Sequence, residues 1–126
     1  IVNCGHPPPL LIRDGSVQAL ANRDPAPPLG MRALAPAGGT TDTFAFIPGD
    51  TLMLYTDGVI EARNREGTFY PLARKVGPWA RSTPQSLVQR LRLDLLTHCG
   101  GRLGDDAALV AIERLPTTPP ALHSSA

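Results

Sequence analysis

Fourteen prolines interrupt the 126-residue chain, and they decide how much of it can be helix. Proline lacks an amide proton and its ring clashes with the preceding turn, so helices stop before it or start just ahead of it. Between Ala21 and Thr40, Pro25, Pro27, Pro28 and Pro36 leave fragments too short to nucleate, and the stretch reads as an irregular surface loop. The segment "YPLARKVGPWA", Tyr70 to Ala80, has room for about two helical turns before Pro78. A longer helix is predicted after it. Thr83 is a natural N-cap with Pro84 at the first helical position, and Leu87, Leu91 and Leu95 recur at four-residue spacing beside Val88 and Leu96. Gly100 and Gly101 supply the stop.

The remaining apolar runs are short and alternate like strands. "PPLLIRDGSVQAL" is a hairpin in outline, with a run ending near Ile12, a turn at Asp14-Gly15 and a second run from Ser16 to Leu20. "TDTFAFIPGDTLMLYTDG" predicts two more strands, Thr41 to Ile47 and Thr51 to Tyr55, around a Pro48-Gly49-Asp50 turn. In the second of these Leu52 and Leu54 share one face while Met53 and Tyr55 share the other, so burial on both sides is expected. A polar bend spans Asn64 to Gly67, and "AALVAIER" reads as a last strand entered from Asp105-Asp106. Ile1 and Val2 look like the end of a strand whose beginning lies upstream, in a chain cut from something longer. Residues 116–126 read as a frayed tail.

Composition narrows the function classes. The length suits one domain with one core, and 42% hydrophobic against 18% charged residues is globular rather than disordered. A net charge of +1 with scattered arginines gives no pull toward nucleic acid, and no apolar run approaches the roughly 18 residues of a membrane span. No signal peptide is visible, and Cys4 and Cys99 read as free thiols, so a cytoplasmic setting is expected. A zinc site built from Cys4, His6, His98 and Cys99 is disfavoured, because adjacent helical residues point about 100° apart.

The strand ending at Tyr55 runs straight into Thr56-Asp57-Gly58. Asp-Gly is common turn chemistry, so Asp57 alone says little. Asp105, however, opens the last strand after a glycine-rich turn, and if the two strands are neighbours both carboxylates converge at one edge. Aspartates on rigid strand ends suit Mg²⁺ or Mn²⁺, hard cations that prefer oxygen and keep several waters. Such an ion polarises a phosphoryl oxygen and lowers the pKa of water, so phosphoester hydrolysis is the chemistry suggested.

Five motifs in order carry a resemblance: "NCGHPPPLLI" at Asn3 to Ile12, "APPLGM" at Ala26 to Met31, "PGDTLMLYTDGVIEARN" at Pro48 to Asn64, "GTFY" at Gly67 to Tyr70 and "GDDAALVAI" at Gly104 to Ile112. From Asn3 to about Arg114 the chain resembles the SpoIIE-like branch of the PPM (type 2C) metal-dependent protein phosphatases. The resemblance implies an α+β fold, part of an α/β/β/α sandwich with mostly antiparallel sheets, occupying residues 1–115, with the N-terminal portion missing. It implies two Mn²⁺ or Mg²⁺ ions in the complete domain, with Asp57 and Asp105 as ligands. Asp106 stays open between a ligand and a turn carboxylate, since relatives often carry Asn there, and Cys4 departs from the usual Asn-Ala-Gly-His. His6 stays open between a role near the phosphate and bonding within its own loop. The implied substrate is a phosphorylated protein, with a bacterial anti-sigma-factor antagonist as the class suggested by similar regulators. Because the upstream Asp-Gly metal motif is absent, this chain is expected to be inactive alone and to leave apolar surface open to homo-oligomer formation. The competing reading is a non-catalytic binding or dimerisation module derived from the phosphatase fold.

Overall fold

The computed structural model describes residues 1–31, 33 and 39–117. Four strands form one antiparallel sheet: β1 (Leu10–Arg13), β2 (Ser16–Ala19), β3 (Thr51–Tyr55) and β4 (Leu109–Glu113), in the spatial order β2-β1-β3-β4. Three helices accompany them, α1 (Asp57–Ile60), α2 (Leu72–Val76) and α3 (Pro84–His98), and a 3₁₀ turn at Gly77–Trp79 continues α2. The β1–β2 hairpin closes through Asp14 at φ 48° and Gly15 at φ 80°, the left-handed pair of a two-residue turn whose twist matches that of the strands.

Register sorts the side chains into two faces. Leu10 pairs with Met53, and Met53 with Ala111, so these three share one face with Ile12 and Val17. That face meets Leu72 and Val76 of α2 and Leu87, Leu91 and Leu95 of α3 in a single core that also takes in Val59, Ala62 and Tyr70. The leucine spacing of α3 is therefore the spacing of its buried stripe. Its start and end follow the sequence: Thr83 Oγ1 accepts from the Ser86 amide at 3.2 Å, while Gly100, at φ 68°, and Gly101 return their amides to Thr97 and Leu96. Tyr70 donates its hydroxyl to Asp94 at 2.8 Å, and Lys75 pairs with the same carboxylate at 3.3 Å, joining α2 to α3.

The opposite face aligns Leu11, Leu52 and Ile112 in one cross-strand row and Leu54 with Val110 in the next. No helix among the described residues covers it, and Leu54, Val110 and Ile112 are 39, 50 and 45% exposed. The expectation that β3 is buried on both sides is thus corrected: Thr51 and Met53 are buried, while Leu54 meets solvent. One sheet and one helical layer make an α+β fold, two of the four layers of an α/β/β/α sandwich.

Two further expectations change. Thr41 to Ile47 is not a strand. Its carbonyls at Ala45 and Phe46 accept from the side chains of Arg13 and Arg114, and the Ile47 amide donates to the Asp50 carboxylate, so side chains stand where a neighbouring strand would. Ile1 does not end a sheet strand. It exchanges backbone bonds with Asp42, and Asn3 accepts from the Ala26 amide, so the amino-terminal segment lies extended between two loop segments. Part of the proline-rich loop (32 and 34–38) and of the expected tail (118–126) lies outside the described residues. Among the described residues no helix is long and apolar enough to cross a membrane.

Candidate functional site

The site is built where β3 and β4 end side by side. Their pairing runs from Thr51↔Glu113 to Tyr55↔Leu109, and one step further Thr56 meets Ala108. There the Thr56 amide donates to the Ala108 carbonyl at 3.2 Å and the Ala108 amide donates to Thr56 Oγ1 at 2.9 Å. Asp57 follows immediately as the first residue of α1. Gly58 then lies so close to the second segment that a Cβ added to it would sit 1.9 Å from the Asp106 carbonyl oxygen. The turn carrying Asp57 and the turn carrying Asp105 and Asp106 are therefore in direct contact, which is the adjacency that the sequence implied.

All three carboxylates are exposed at this edge. Asp105 Oδ1 accepts the Asp106 amide at 2.7 Å, a turn-type bond that shapes the loop. Around Asp57 the short α1 is anchored by Val59, which is fully buried. Carboxylate oxygens on an open edge are the donor type a hard divalent cation prefers, and the Gly58 backbone packs directly against the Asp106 carbonyl with no room for a side chain between them. Among the described residues no group of three or more His, Cys, Asp or Glu side chains is placed to hold an ion.

Beside this edge, on the uncovered sheet face, lies a cleft of about 510 Å³ lined by Asn3, Cys4, His6, Leu54, Thr56 and Val110 among others. Four of the sequence motifs meet there, Leu29 contributing from the second. Asn3 is buried and closes its own loop, its amide nitrogen donating to the His6 carbonyl at 2.7 Å and its oxygen accepting the His6 amide at 2.9 Å. Tyr55 donates its hydroxyl to the Pro8 carbonyl at 2.7 Å, and burial pushes its pKa up. Cys4 bridges to Ala26, which joins the first motif to the second. His98 and Cys99, the other half of the disfavoured zinc set, stand at the end of α3, where His98 Nε2 lies 2.9 Å from the Thr68 carbonyl.

Sequence reading singled out Asp57 and Asp105 but gave the Thr56 hydroxyl no role. The signal was available: threonine at a strand end ahead of an Asp-Gly turn is a residue that bonds to backbone.

The sequence matches the family of stage II sporulation protein E (SpoIIE) over residues 1–115. Its fold is similar to that of the PP2C phosphatase domain of SpoIIE from Bacillus subtilis, solved with a fragment of its regulatory domain, at a TM-score of 0.72 and 18% identity over 90% of this chain and 33% of that one. It is also similar to the structure of the RsbU and RsbW domains of Rv1364c from Mycobacterium tuberculosis, at 0.64 and 30% identity over 94% and 33%. The SiaA PP2C domain of Pseudomonas aeruginosa gives 0.67 and 19% identity over 86% and 43%. The chain spans less than half the length of each of these solved structures.

Proposed function

The chain belongs to the SpoIIE family, and from that premise we propose that it is the C-terminal part of a PPM-type serine/threonine protein phosphatase, a hydrolase of phosphomonoesters. The observation that carries the reading is the contact between the Thr56–Gly58 turn and the Asp105–Ala108 segment, which sets two carboxylate-bearing turns at one end of a sheet. In this reading Asp57 and Asp105 are ligands to Mn²⁺ or Mg²⁺. When bound, such an ion supplies Lewis acidity toward a phosphoryl oxygen and a lowered pKa for water. The protein's part is to present hard anionic oxygens from two turns that pack against each other beside the ends of β3 and β4. Asp106 contributes its backbone amide to Asp105 Oδ1, and its own carboxylate is left outside the proposed ligand pair.

The substrate we infer is a phosphorylated protein, and the resemblance to bacterial regulators supports an anti-sigma-factor antagonist acted on in the cytoplasm. Two carboxylates leave most of a coordination shell to water, so this chain alone is expected to bind Mn²⁺ weakly and to turn over little substrate.

Calorimetric titration with Mn²⁺ and a phosphopeptide hydrolysis assay, run on a protein carrying both sheets of the sandwich, test the assignment. Asp57→Asn and Asp105→Asn should each weaken Mn²⁺ binding and activity by more than the roughly 10- to 100-fold typical of losing an outer hydrogen-bond partner. Wild-type activity in either variant removes that residue from the metal site.

A second reading, a non-catalytic binding or dimerisation module, is favoured by one observation: the uncovered apolar row on β3 and β4. Metal-independent association together with no Mn²⁺ response in the larger protein would select it.

A further inference from the structure

We propose that Thr56 and Gly58 are positioning residues that bracket Asp57 and hold it in register with Asp105; the inference rests on the metal-site reading above. The argument begins with where hydrogen bonds go as β3 becomes α1. In an antiparallel ladder Thr56 and Ala108 would exchange two backbone bonds. Only one of them forms, Thr56 amide to Ala108 carbonyl, because the Thr56 carbonyl has already turned away to accept the Val59 amide at 3.0 Å. The Ala108 amide is left facing a strand whose acceptor has gone into the helix, and the Thr56 hydroxyl replaces that acceptor at 2.9 Å. Thr56 sits at the N-cap position, with φ −94° and ψ 163°, yet its side chain makes no capping bond. A hydroxyl that ordinarily caps the helix is used here as a rung of the sheet.

Gly58 acts from the other side of Asp57. An ideal Cβ there would lie 1.9 Å from the Asp106 carbonyl oxygen and 2.8 Å from its carbonyl carbon. Both obstacles are backbone, so no rotamer change relieves the overlap; the 104–107 segment must move away. One contact is polar and the other steric, and they fall at positions 56 and 58 on either side of the candidate ligand. Gly58 has no side chain to offer an ion, and the Thr56 hydroxyl is engaged by the Ala108 amide. Their effect is exerted through the distance between two turns.

Isotope-labelled chain, titrated with Mn²⁺ and followed by paramagnetic broadening of backbone amide signals, tests this without any need for turnover. In the wild type the signals of Asp57, Gly58, Asp105 and Asp106 should broaden together. Thr56→Val, nearly equal in volume but without the acceptor, and Gly58→Ala should each raise the Mn²⁺ concentration for half-broadening by roughly tenfold, the lower end of what loss of a supporting partner costs. Thr56→Ser, which keeps the hydroxyl, should stay within about threefold of wild type on the same scale. Hydrogen exchange of the Ala108 amide should accelerate in Thr56→Val and not in Thr56→Ser. A folded Thr56→Val with wild-type half-broadening, or with an Ala108 amide as protected as before, overturns the proposal. If wild type shows no broadening at either turn, the metal reading fails for this chain; the exchange of Ala108 then decides the positioning role by itself.

Discussion

Asp50 is a charged side chain buried to 1% exposure, and its surroundings explain how that is tolerated. Arg13 reaches it from β1 with a two-pronged contact, Nε to Oδ1 at 2.8 Å and Nη2 to Oδ2 at 2.6 Å, and the Ile47 amide adds a third bond at 2.8 Å. The Arg13 hydrogen bonds hold the Asp50 carboxyl below its ordinary range against the opposing effect of burial. A depressed folded-state value means that the unfolded chain takes up the proton first. The stabilisation is therefore complete above the unfolded value near pH 4 and is lost as pH falls through the lower folded one. Urea midpoints measured between pH 2 and pH 7 should drop steeply below about pH 4. Asp50→Asn should lower the midpoint at neutral pH and flatten that acid limb; an unchanged limb would assign it to other carboxylates. Sequence reading saw Asp50 only as turn chemistry after Pro48-Gly49, because its partner is 37 residues away and no local pattern announces it.

At the scale of elements, legibility followed the locality of the bonds. α3 was readable because its N-cap, first-turn proline, leucine stripe and glycine stop all lie within the helix and its flanks. Thr83→Ala should cost about 1 kcal/mol through the lost bond to the Ser86 amide, and Leu91→Ala about 2–5 kcal/mol, since Leu91 is fully buried between α3 and the sheet. Thermal unfolding should rank the two in that order; equal losses would mean that the core closes around the vacated leucine site. The segment Thr41 to Ile47 shows the converse case. Its alternation is real, and Phe44 and Phe46 are both half-buried while their neighbours Thr43 and Ala45 are exposed. Alternation reports which side chains are covered, but strand identity depends on where the carbonyls find donors, and here two arginines supply them. The candidate site was legible to the same degree. Asp57 was legible directly after its strand, Asp105 stands four residues ahead of β4 where the last strand was expected to open, and the Thr56–Ala108 bond that brings their turns together spans 52 residues.

On the scale of the whole molecule, the sheet is covered on one side only by the described residues. The helical side holds Leu10, Ile12 and Met53 at 3% exposure or less, while Val110 and Ile112 on the other side are about half exposed. Among the described residues β4 is also an edge strand, so an apolar surface and a strand edge lie together. In an α/β/β/α sandwich this inner face is where a second sheet packs, and the chain's share of the related solved structures leaves room for one. Water should therefore penalise the isolated chain through this face, and concentration-dependent association is the expected relief. Val110→Lys and Ile112→Lys place charges on the exposed side of β4 without entering the core behind it. Each should shift sedimentation toward monomer at concentrations where wild type associates, and each should leave the unfolding free energy within about 0.5 kcal/mol, as for other surface substitutions. Loss of folding in both variants would show instead that this face is already buried in the solution state. Association undiminished by both would place the contact elsewhere, with β2 at the opposite edge as the next strand to charge.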